Sequence, residues 1–405
     1  MSRTGQRGLI GQIGRIGQIR RIGLISLIGL ISLIGPISLT SCYREPPLHL
    51  YDSENKIINL PIVELRLDIY WDYELNLGIN YNWRDEWFYG WDDIDREIFG
   101  ELEYVAPTNF FLRRYYTGNR PYASRLYKRE AYVQGRSFRS AYDWGFWDIL
   151  VWNDVETIDG VQSLYFDEPT SLDEPIIAST NQTMNLVRYH GQRYQHSFWE
   201  PEQLFSACEM GIEINENLEG FEYDALNNLW IRRLNMLLEP ITYIYLPQII
   251  LHHNYGRIAS VPGTACLSGM ARTTNINTGV AGTDAIAVNY GMRLKNNIIV
   301  KGEDVDIVGG RLMTFGICGQ NANRVSRSEE NNDNEHHFIE MQMQFYNGID
   351  STFVFDVTEQ VRERYKGGVI TVHLDMDTVR IPKYNGMFDA VIKDTEDGGT
   401  WEIEM

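Results

Sequence analysis

The sequence predicts an all-β protein with two β-sandwich domains that follow an N-terminal leader. The clearest strand lies early in the body, where Val63, Leu65 and Leu67 alternate with charged residues in the two-residue period of a half-buried strand. Similar runs recur to the end of the chain, and Gly and Asn cluster between them at the spacing typical of a sandwich. The chain has 405 residues, 43% of them aliphatic or aromatic, which is enough for two hydrophobic cores.

Further strands are predicted from apolar runs on both sides of the middle of the chain. In the first half they lie at 109–117, 131–133, 147–152 and 164–166. In the second half they lie at 241–251, 264–271, 285–294, 311–318, 338–345, 351–357, 369–374, 388–392 and 401–405. The run 147–152 (WDILVW) is apolar on both faces except at Asp148, which predicts a central strand. One short helix is predicted, with Thr358 as N-cap, Val361 facing inward and Gly367 as its stop.

The domain organisation is predicted from a change of composition near the middle of the chain. The stretch 215–228 is rich in Asn and Glu and is too polar to form core. We therefore expect a boundary close to it, and four segments in all. These are a leader at 1–41, a tether at 42–54, an N-terminal sandwich at 55–210 and a C-terminal sandwich at 211–405.

The leader is identified by its polarity rather than by its repeat. Isoleucine recurs at every third position from Ile10 to Ile37, a period that does not suit an amphipathic helix. The segment is basic as far as Arg21, and residues 22–39 are uncharged and mostly apolar, which is the order found in a secretory signal peptide. Because these 18 uncharged residues approach the length that spans a bilayer, an uncleaved anchor is the alternative.

The end of the leader favours lipidation at Cys42. The sequence Leu39-Thr40-Ser41-Cys42 resembles the lipobox of bacterial lipoproteins, in which small residues precede a cysteine that is acylated after cleavage. Several acyl chains on one residue anchor a protein stably to a membrane. Tyr43 follows the cysteine in place of Asp, so by this resemblance the inner-membrane retention signal is missing. We therefore expect an outer-membrane lipoprotein.

Charge and cysteine content exclude two classes of protein. The net charge of the whole chain is −19, and the leader contributes five arginines and no acid, so the remainder carries −24. Such an acidic body repels nucleic acid, and we expect no nucleic-acid partner. Besides Cys42 the chain has only Cys208, Cys266 and Cys318, an odd number that does not form a disulfide scaffold. One disulfide among the three, or three free thiols, are both compatible with the sequence.

Two pairs of adjacent histidines are the first candidates for a metal site: His252-His253 and His336-His337. Neighbouring residues of a strand point to opposite faces of the sheet, so the two members of a pair are not expected to bind one metal ion together. No ligand spacing of a known zinc motif accompanies them. We expect no metal site and no cofactor here.

Two pairs of aspartates are the second candidates: Asp304 with Asp306, and Asp375 with Asp377. Each pair places two carboxylates on one face of a strand, as a calcium site or an acid/base pair would require. A solvated strand edge shows the same pattern, and no calcium-loop spacing follows. We therefore expect these aspartates to be surface charges. The sequence also lacks nucleophile-elbow, phosphate-loop and dinucleotide motifs, so we do not expect an enzyme.

Aromatic residues are concentrated at 81–93, where Trp83, Trp87, Tyr89 and Trp91 alternate with carboxylates and an amide. A saccharide site uses this mixture, because flat rings cover the CH groups of a sugar and polar side chains bind its hydroxyls. These four rings are therefore candidate ligand-binding residues. The alternative is a loop whose rings plug the open end of a sandwich while its acids face water.

Several short runs together carry a family resemblance. They are 142–153 (YDWGFWDILVWN), 266–273 (CLSGMART), 311–319 (RLMTFGICG) and 353–361 (FVFDVTEQV). With the lipobox, they resemble a fimbrillin-like lipoprotein family of gut anaerobic bacteria, uncharacterised lipoproteins similar to fimbrillins and fimbrial anchor subunits. The likeness covers about residues 55–405 and follows strand ends and turns, not catalytic residues. Only the lipidated Cys42 carries over residue by residue.

The resemblance implies two tandem transthyretin-like, Greek-key sandwiches and a role in fimbria assembly, anchoring or adhesion. In polymerising fimbrillins a protease trims the N-terminal strand behind an arginine, and the strand of a neighbouring subunit fills the groove. The resemblance thus implies other fimbrial subunits as partners by strand exchange. The arginines available for such a cut are Arg125, Arg129, Arg136 and Arg139.

The sequence as a whole predicts a non-enzymatic lipoprotein of the outer membrane and cell surface, with a fimbrial or adhesive role. Its expected partners are the membrane, through the lipid anchor, and other fimbrial subunits or a host or glycan ligand. The alternative is a surface glycan-binding lipoprotein of a nutrient-uptake system. An exposed platform of rings would favour the alternative, and a groove-filling terminal strand would favour the fimbrial role.

Overall fold

β-strands dominate the chain, and the predicted all-β fold class is confirmed. The computed structural model describes residues 62–71, 79, 81–155, 163–183, 197–319, 336–383 and 389–393. In these residues the strands are β1 (Ile62–Trp71), β2 (Asn109–Gly118), β3 (Tyr127–Gln134), β4 (Ser137–Ala141), β5 (Gly145–Asn153), β6 (Leu164–Asp167), β7 (Ile177–Thr180), β8 (Ser197–Trp199), β9 (Phe205–Ile214), β10 (Glu222–Asp224), β11 (Leu229–Pro240), β12 (Tyr243–His252), β13 (Ile258–Ser260), β14 (Thr264–Ala271), β15 (Thr273–Asn275), β16 (Ala285–Val300), β17 (Glu303–Gly310), β18 (Leu312–Thr314), β19 (Phe338–Phe345), β20 (Asp350–Asp356), β21 (Gly368–Asp375) and β22 (Asp389–Lys393). The helical elements are a 3-10 turn (Trp83–Asp85), α1 (Asp93–Phe99) and α2 (Thr358–Glu363).

The first sheet contains eight of these strands, in the order β3-β2-β5-β9-β11-β1-β4, with β10 paired to β11. β5 lies between β2 and β9 and is buried from Trp147 to Asn153, which confirms the central strand predicted at 147–152. Its one charged residue, Asp148, is buried beside the guanidinium of Arg125 at 3.2 Å. The core of this sheet collects inward-facing side chains of β1, β2, β5, β9 and β11 around Trp147.

The second sheet contains eleven strands of the described chain, in the order β18-β12-β17-β16-β14-β19-β20-β22. Outside this path, β21 pairs with β12, β13 with β19, and β8 with β16. Most neighbours are antiparallel, whereas the β12–β21, β20–β22 and β8–β16 pairs are parallel. Its core is rich in large side chains, including the fully buried Phe345, Phe353 and Phe355.

A small third sheet, in the order β15-β7-β6, joins the two halves of the chain. β7 and β15 pair in antiparallel register although almost 100 residues separate them. A hydrophobic cluster beside it contains side chains from both halves, among them Tyr115, Trp152, Ile241 and Phe315. The two larger sheets are therefore linked by packing as well as by the chain.

The predicted boundary between residues 210 and 211 falls inside β9. The polar stretch 215–228 lies around β10, in the turns that lead from β9 to β11, and β11 pairs with β1 and β9 of the first sheet. Apart from β8, all described strands of the second sheet come after Pro240, beginning with β12. Residues Ile62–Met405 form one compact unit, and their division into two sandwich domains stays a prediction.

Most predicted elements are present, with small corrections. The predicted helix is α2, with Val361 buried as expected, but its N-cap is Val357 and not Thr358, which is the first helical residue. The strand predicted at 311–318 is shorter, because β18 ends at Thr314. Helix α1 was not predicted. The strand predicted at 388–392 is β22, and the one at 401–405 lies outside the described residues.

Candidate functional site

Cys42 and the tether 42–54 lie outside the described residues, so lipidation of Cys42 remains a prediction. In the described part of the chain, neither helix has the length and hydrophobicity that a membrane span requires. The other predicted site residues, the four rings of the aromatic segment and the histidine and aspartate pairs, all lie among the described residues.

The aromatic segment 81–93 packs against the second sheet. Trp83, Trp87 and Tyr89 are 6%, 8% and 2% exposed, and Trp91 is half-buried. The three buried rings join apolar side chains of β12, β17, β18 and β21, among them Ile244, Leu246, Ile250, Ile307, Met313 and Val369. A glycine makes room for them, since a Cβ atom at Gly309 would overlap the ring of Tyr89.

The main chain of this segment is held by Gln248, a fully buried residue of β12. Its Oε1 accepts hydrogen bonds from the backbone N–H groups of Phe88, at 3.0 Å, and Tyr89, at 3.2 Å. Its Nε2 donates to the carbonyl of Glu86, at 2.7 Å, and to Oγ1 of Thr371, at 2.9 Å. This amide therefore fixes the aromatic segment to the sheet by directional bonds in addition to packing.

Two carboxylates at the end of the segment, those of Asp92 and of Asp95 in the helix α1 that follows, form an internal ion-pair network. Asp95 is fully buried and lies 2.6 Å from Nζ of Lys295 and 2.9 Å from Nε of Arg293, both on β16. The hydroxyl of Tyr89 donates to it at 2.7 Å. Asp92 and Asp95 also form a capping box at the start of α1. Burial opposes ionisation of Asp92, but the Asp95 N–H and the two cations outweigh it and lower the pKa of Asp92.

The four candidate ligand-binding rings therefore do not form an exposed platform, which corrects that prediction. Packing of Trp83, Trp87 and Tyr89 against apolar strands removes their ring surfaces from water, and this burial is more favourable in free energy than exposure at a solvated ligand site. Of the interleaved acids, which suggested partners for sugar hydroxyls, Asp92 instead pairs with Arg293 and Lys295, and Glu86 pairs with Arg364. The segment is a plug over the second sheet.

β1 occupies an interior position in the first sheet although it is the first described strand of the chain. It pairs in parallel with β11 over all ten of its residues and antiparallel with β4 over Glu64–Asp68. Its inward-facing side chains, Val63, Leu65, Leu67 and Ile69, are at most 3% exposed. A terminal strand that fills a groove in this way has the geometry that strand exchange uses.

The four arginines considered for proteolytic trimming all follow β2 in the chain: Arg125, Arg129, Arg136 and Arg139. A cut behind any of them would detach α1 and β2 together with β1. The first basic residue after β1 is Arg84, and residues 72–83 contain no Lys or Arg. None of the four arginines therefore releases β1 alone.

The histidine pair His252-His253, which the sequence did not predict to bind a metal ion, and the aspartate pair Asp375/Asp377, predicted to be surface charge, meet at the ends of β12 and β21. The parallel register sets His252 opposite Asp375, and the following turns carry His253 and Asp377. Nδ1 of His253 lies 3.0 Å from Oδ1 of Asp375 and 3.9 Å from Oδ2 of Asp377. His252 points elsewhere, with Nε2 2.9 Å from Nδ1 of His373. Sequence reasoning missed this cluster because about 120 residues separate its two halves.

The remaining candidate pairs include buried residues with structural roles. His337 is buried, its Nδ1 lies 3.1 Å from the Ser268 carbonyl, and burial lowers the pKa of His337 to about 4. The ring is therefore neutral near pH 7 and can donate to that carbonyl. Asp306 accepts hydrogen bonds from the Asn254 side chain and the Asn297 backbone, so it orders two turns.

The three cysteines of the body are free thiols, which decides between the two alternatives that the sequence left open. None of the three, all of which the structure describes, forms a disulfide. Burial raises the pKa of Cys208 to about 11 and that of Cys266 to about 12. Both thiols are therefore protonated at neutral pH and unreactive.

Comparison with known proteins finds similar chains among solved structures. The sequence matches no protein-family model and no curated protein. Among solved structures, the chain is similar to a candidate adhesin from Bacteroides ovatus, with 14% identity, 79% of this chain and 93% of that chain covered, and a TM-score of 0.44. It is also similar to the fimbrial anchor protein Mfa2 from Porphyromonas gingivalis, with 10% identity, 84% and 95% covered, and a TM-score of 0.39.

Proposed function

We propose that this protein is a lipid-tethered, non-enzymatic subunit of fimbrial or adhesin type, held at the outer membrane through Cys42 and exposed on the cell surface. The leader, the lipobox and the family resemblance of the body support this proposal. The observation that carries it is the position of β1. The strand that follows the tether lies inside the first sheet and not at its edge.

This position gives a tether a firm attachment to the body. A pull on the N-terminus would load the hydrogen bonds to β11 and β4 together, and it would have to expose Val63, Leu65, Leu67 and Ile69 to water. A protease cut behind β1 would instead separate the lipid from the body. The first Lys or Arg after β1 is Arg84, which lies in the 3-10 turn of the plug beside the buried Trp83 rather than in a free loop. We therefore propose that the protein keeps β1 and serves as an anchor, adhesin or accessory subunit.

Other fimbrial subunits are the proposed partners. Exchange at the β1 position requires removal of β1, so a protein that keeps this strand has to use another edge. β22 is a candidate for that edge, because it ends the path of the second sheet and pairs with β20 alone in the described chain. Pairing of a partner's strand there would use backbone hydrogen bonds for affinity.

The glycan-binding alternative is not proposed. Its support was the aromatic segment 81–93, and the burial of Trp83, Trp87 and Tyr89 removes the exposed ring faces that a saccharide would need.

Replacement of Cys42 is expected to abolish anchoring. The Cys42→Ala variant should incorporate no labelled palmitate and should leave the outer-membrane fraction, because no other cysteine directly follows a basic and then apolar leader. The Cys208→Ala variant, which changes a thiol of the body, should label and fractionate like the native protein. Palmitate incorporation that persists in the Cys42→Ala variant would contradict the lipoprotein proposal.

A further inference from the structure

Three donor atoms of the kinds that bind metal ions face one another where β12 and β21 end. They are Nδ1 of His253, Oδ1 of Asp375 and Oδ2 of Asp377. All three lie within 4.8 Å of one another. A tetrahedral ion with bonds of about 2.1 Å holds its ligands roughly 3.4 Å apart, between the 3.0 Å and 3.9 Å that separate the imidazole from the two carboxylates.

The backbone, and not chance contact of long side chains, brings these donors together. His253 follows β12 directly in the left-handed region, with φ of 53°. Asp375 is the last residue of β21, and the N–H of Met376 donates to the carbonyl of His252 at 2.9 Å, which ties the two turns together. The N–H of Asp377 donates to Oδ1 of Asp375 at 3.0 Å. This hydrogen bond closes a tight turn that keeps Asp377 close to the carboxylate of Asp375.

A neighbouring arginine orients the third donor. Nη2 of Arg257 lies 2.6 Å from Oδ1 of Asp377, and its Nη1 donates to the carbonyl of Met376. The guanidinium thus occupies one oxygen of Asp377 and leaves Oδ2 facing His253. With a neutral imidazole, the two carboxylates and Arg257 sum to a charge of −1, which still attracts a cation.

We propose that His253, Asp375 and Asp377 bind one divalent transition-metal ion of the Zn²⁺ class. One imidazole and two carboxylates are donors that Zn²⁺ accepts, and three protein ligands leave the fourth position to water. Ca²⁺ fits less well, because it requires six to eight oxygen ligands and this cluster offers few. The side chains of His253 and Asp377 are 43% and 54% exposed, so the open position faces solvent.

The ion would join the turn after β12 to the turn after β21. It would replace the hydrogen bond between His253 and Asp375 with two coordinate bonds and add a third from Asp377. Because the open position faces outward, a carboxylate or imidazole of another molecule could complete the coordination sphere. The proposal does not depend on the lipid anchor or on the fimbrial role.

Titration calorimetry of the purified full-length protein with ZnCl₂, after removal of metal by a chelator, tests this site. We expect saturable binding of one Zn²⁺ per chain. The His253→Ala and Asp375→Asn variants should each weaken it at least tenfold, and an equal concentration of CaCl₂ should not displace it. The matched control is His336→Ala, which removes an exposed imidazole whose one ion-pair partner among the described residues is Asp356, at 3.7 Å. Its binding should equal that of the native protein.

Three results would overturn the proposal: no saturable Zn²⁺ binding, unchanged binding in both variants, or displacement of Zn²⁺ by Ca²⁺. Because the substituted side chains are exposed or half-exposed, the metal-free variants should melt within a few degrees of the native protein. If one of them does not fold, Asp377→Asn provides a second carboxylate variant. Loss of binding in that variant supports the site, and native binding in it contradicts the site.

Discussion

Replacement of Asp95 by Ala is expected to lower the free energy of unfolding by about 3–5 kcal/mol, the cost of removing one partner from a buried ion pair. Asp95 is fully buried and is the shared partner of Lys295, Arg293 and the Tyr89 hydroxyl. Without it, two cations would keep only Asp92 as a nearby acid, and the capping box of α1 would be lost. Urea unfolding monitored by tryptophan fluorescence measures the change, because Trp83 and Trp87 lie in the same plug.

The matched control for this prediction is Asp93→Ala in the same helix. Asp93 is almost fully solvated and pairs only with Arg96 one turn away, so its loss should change stability by less than about 0.5 kcal/mol. Equal effects of the two substitutions would show that the segment 81–99 is not fixed by a buried network. The rings of the plug would then have to be reconsidered as a mobile, ligand-accessible surface.

Replacement of Leu67 by Ala is expected to destabilise the first sheet by about 2–5 kcal/mol, as for other fully buried leucines. Leu67 is at the centre of β1, with no exposed surface, and packs among side chains of the core around Trp147. The change is measured by urea unfolding followed by circular dichroism. It tests directly how firmly β1, the strand next to the proposed tether, is held in the body.

Arg66→Ala is the control for that substitution, because Arg66 lies next to Leu67 and points out of the core with 43% of its side chain exposed. Its replacement should change stability by less than about 0.5 kcal/mol. If Leu67→Ala were as mild, β1 would be a loosely held strand. β1 would then not be held firmly enough to resist a pull on the proposed tether.

Local patterns in the sequence predicted the strands whose environment repeats every two residues. The alternation from Val63 to Ile69 became β1, and the continuous apolar run around Leu150 became the central strand β5. The pattern could not show that β1 lies parallel to β11, because that pairing joins segments more than 160 residues apart. Period and composition therefore indicated the elements but not their neighbours.

The features that were missed depend on partners that are distant in the chain. Asp92 and Glu86 of the aromatic segment looked like free ligands for a sugar because their partners are distant in the chain. Asp92 pairs with Arg293 and Lys295 of β16, and Glu86 pairs with Arg364. The cluster of His253 with Asp375 required the parallel pairing of β12 and β21. Helix α1 could have been found, because Asp92 and Asp95 have the spacing of a capping box.

Composition alone predicts a domain boundary at 210–211, because polar turns have the composition of a linker. The Asn- and Glu-rich residues from 215 to 228 lie in the turns around β10, whose strand pairs with β11. An exposed hairpin end and an interdomain linker are both solvated, so their composition is the same. The pairing of β11 with β1 and β9 shows that the chain after this stretch is still part of the first sheet, as expected of a hairpin end and not of a linker.

We propose that the mature protein is joined to lipid at Cys42 and keeps β1. Intact-mass and N-terminal peptide analysis of the protein extracted from outer membranes of the producing bacterium tests it most directly. We predict an N-terminal residue that is acylated Cys42, in unbroken peptide linkage with β1. An unacylated N-terminus that begins after Arg84, or a retained leader that begins at Met1, would contradict it.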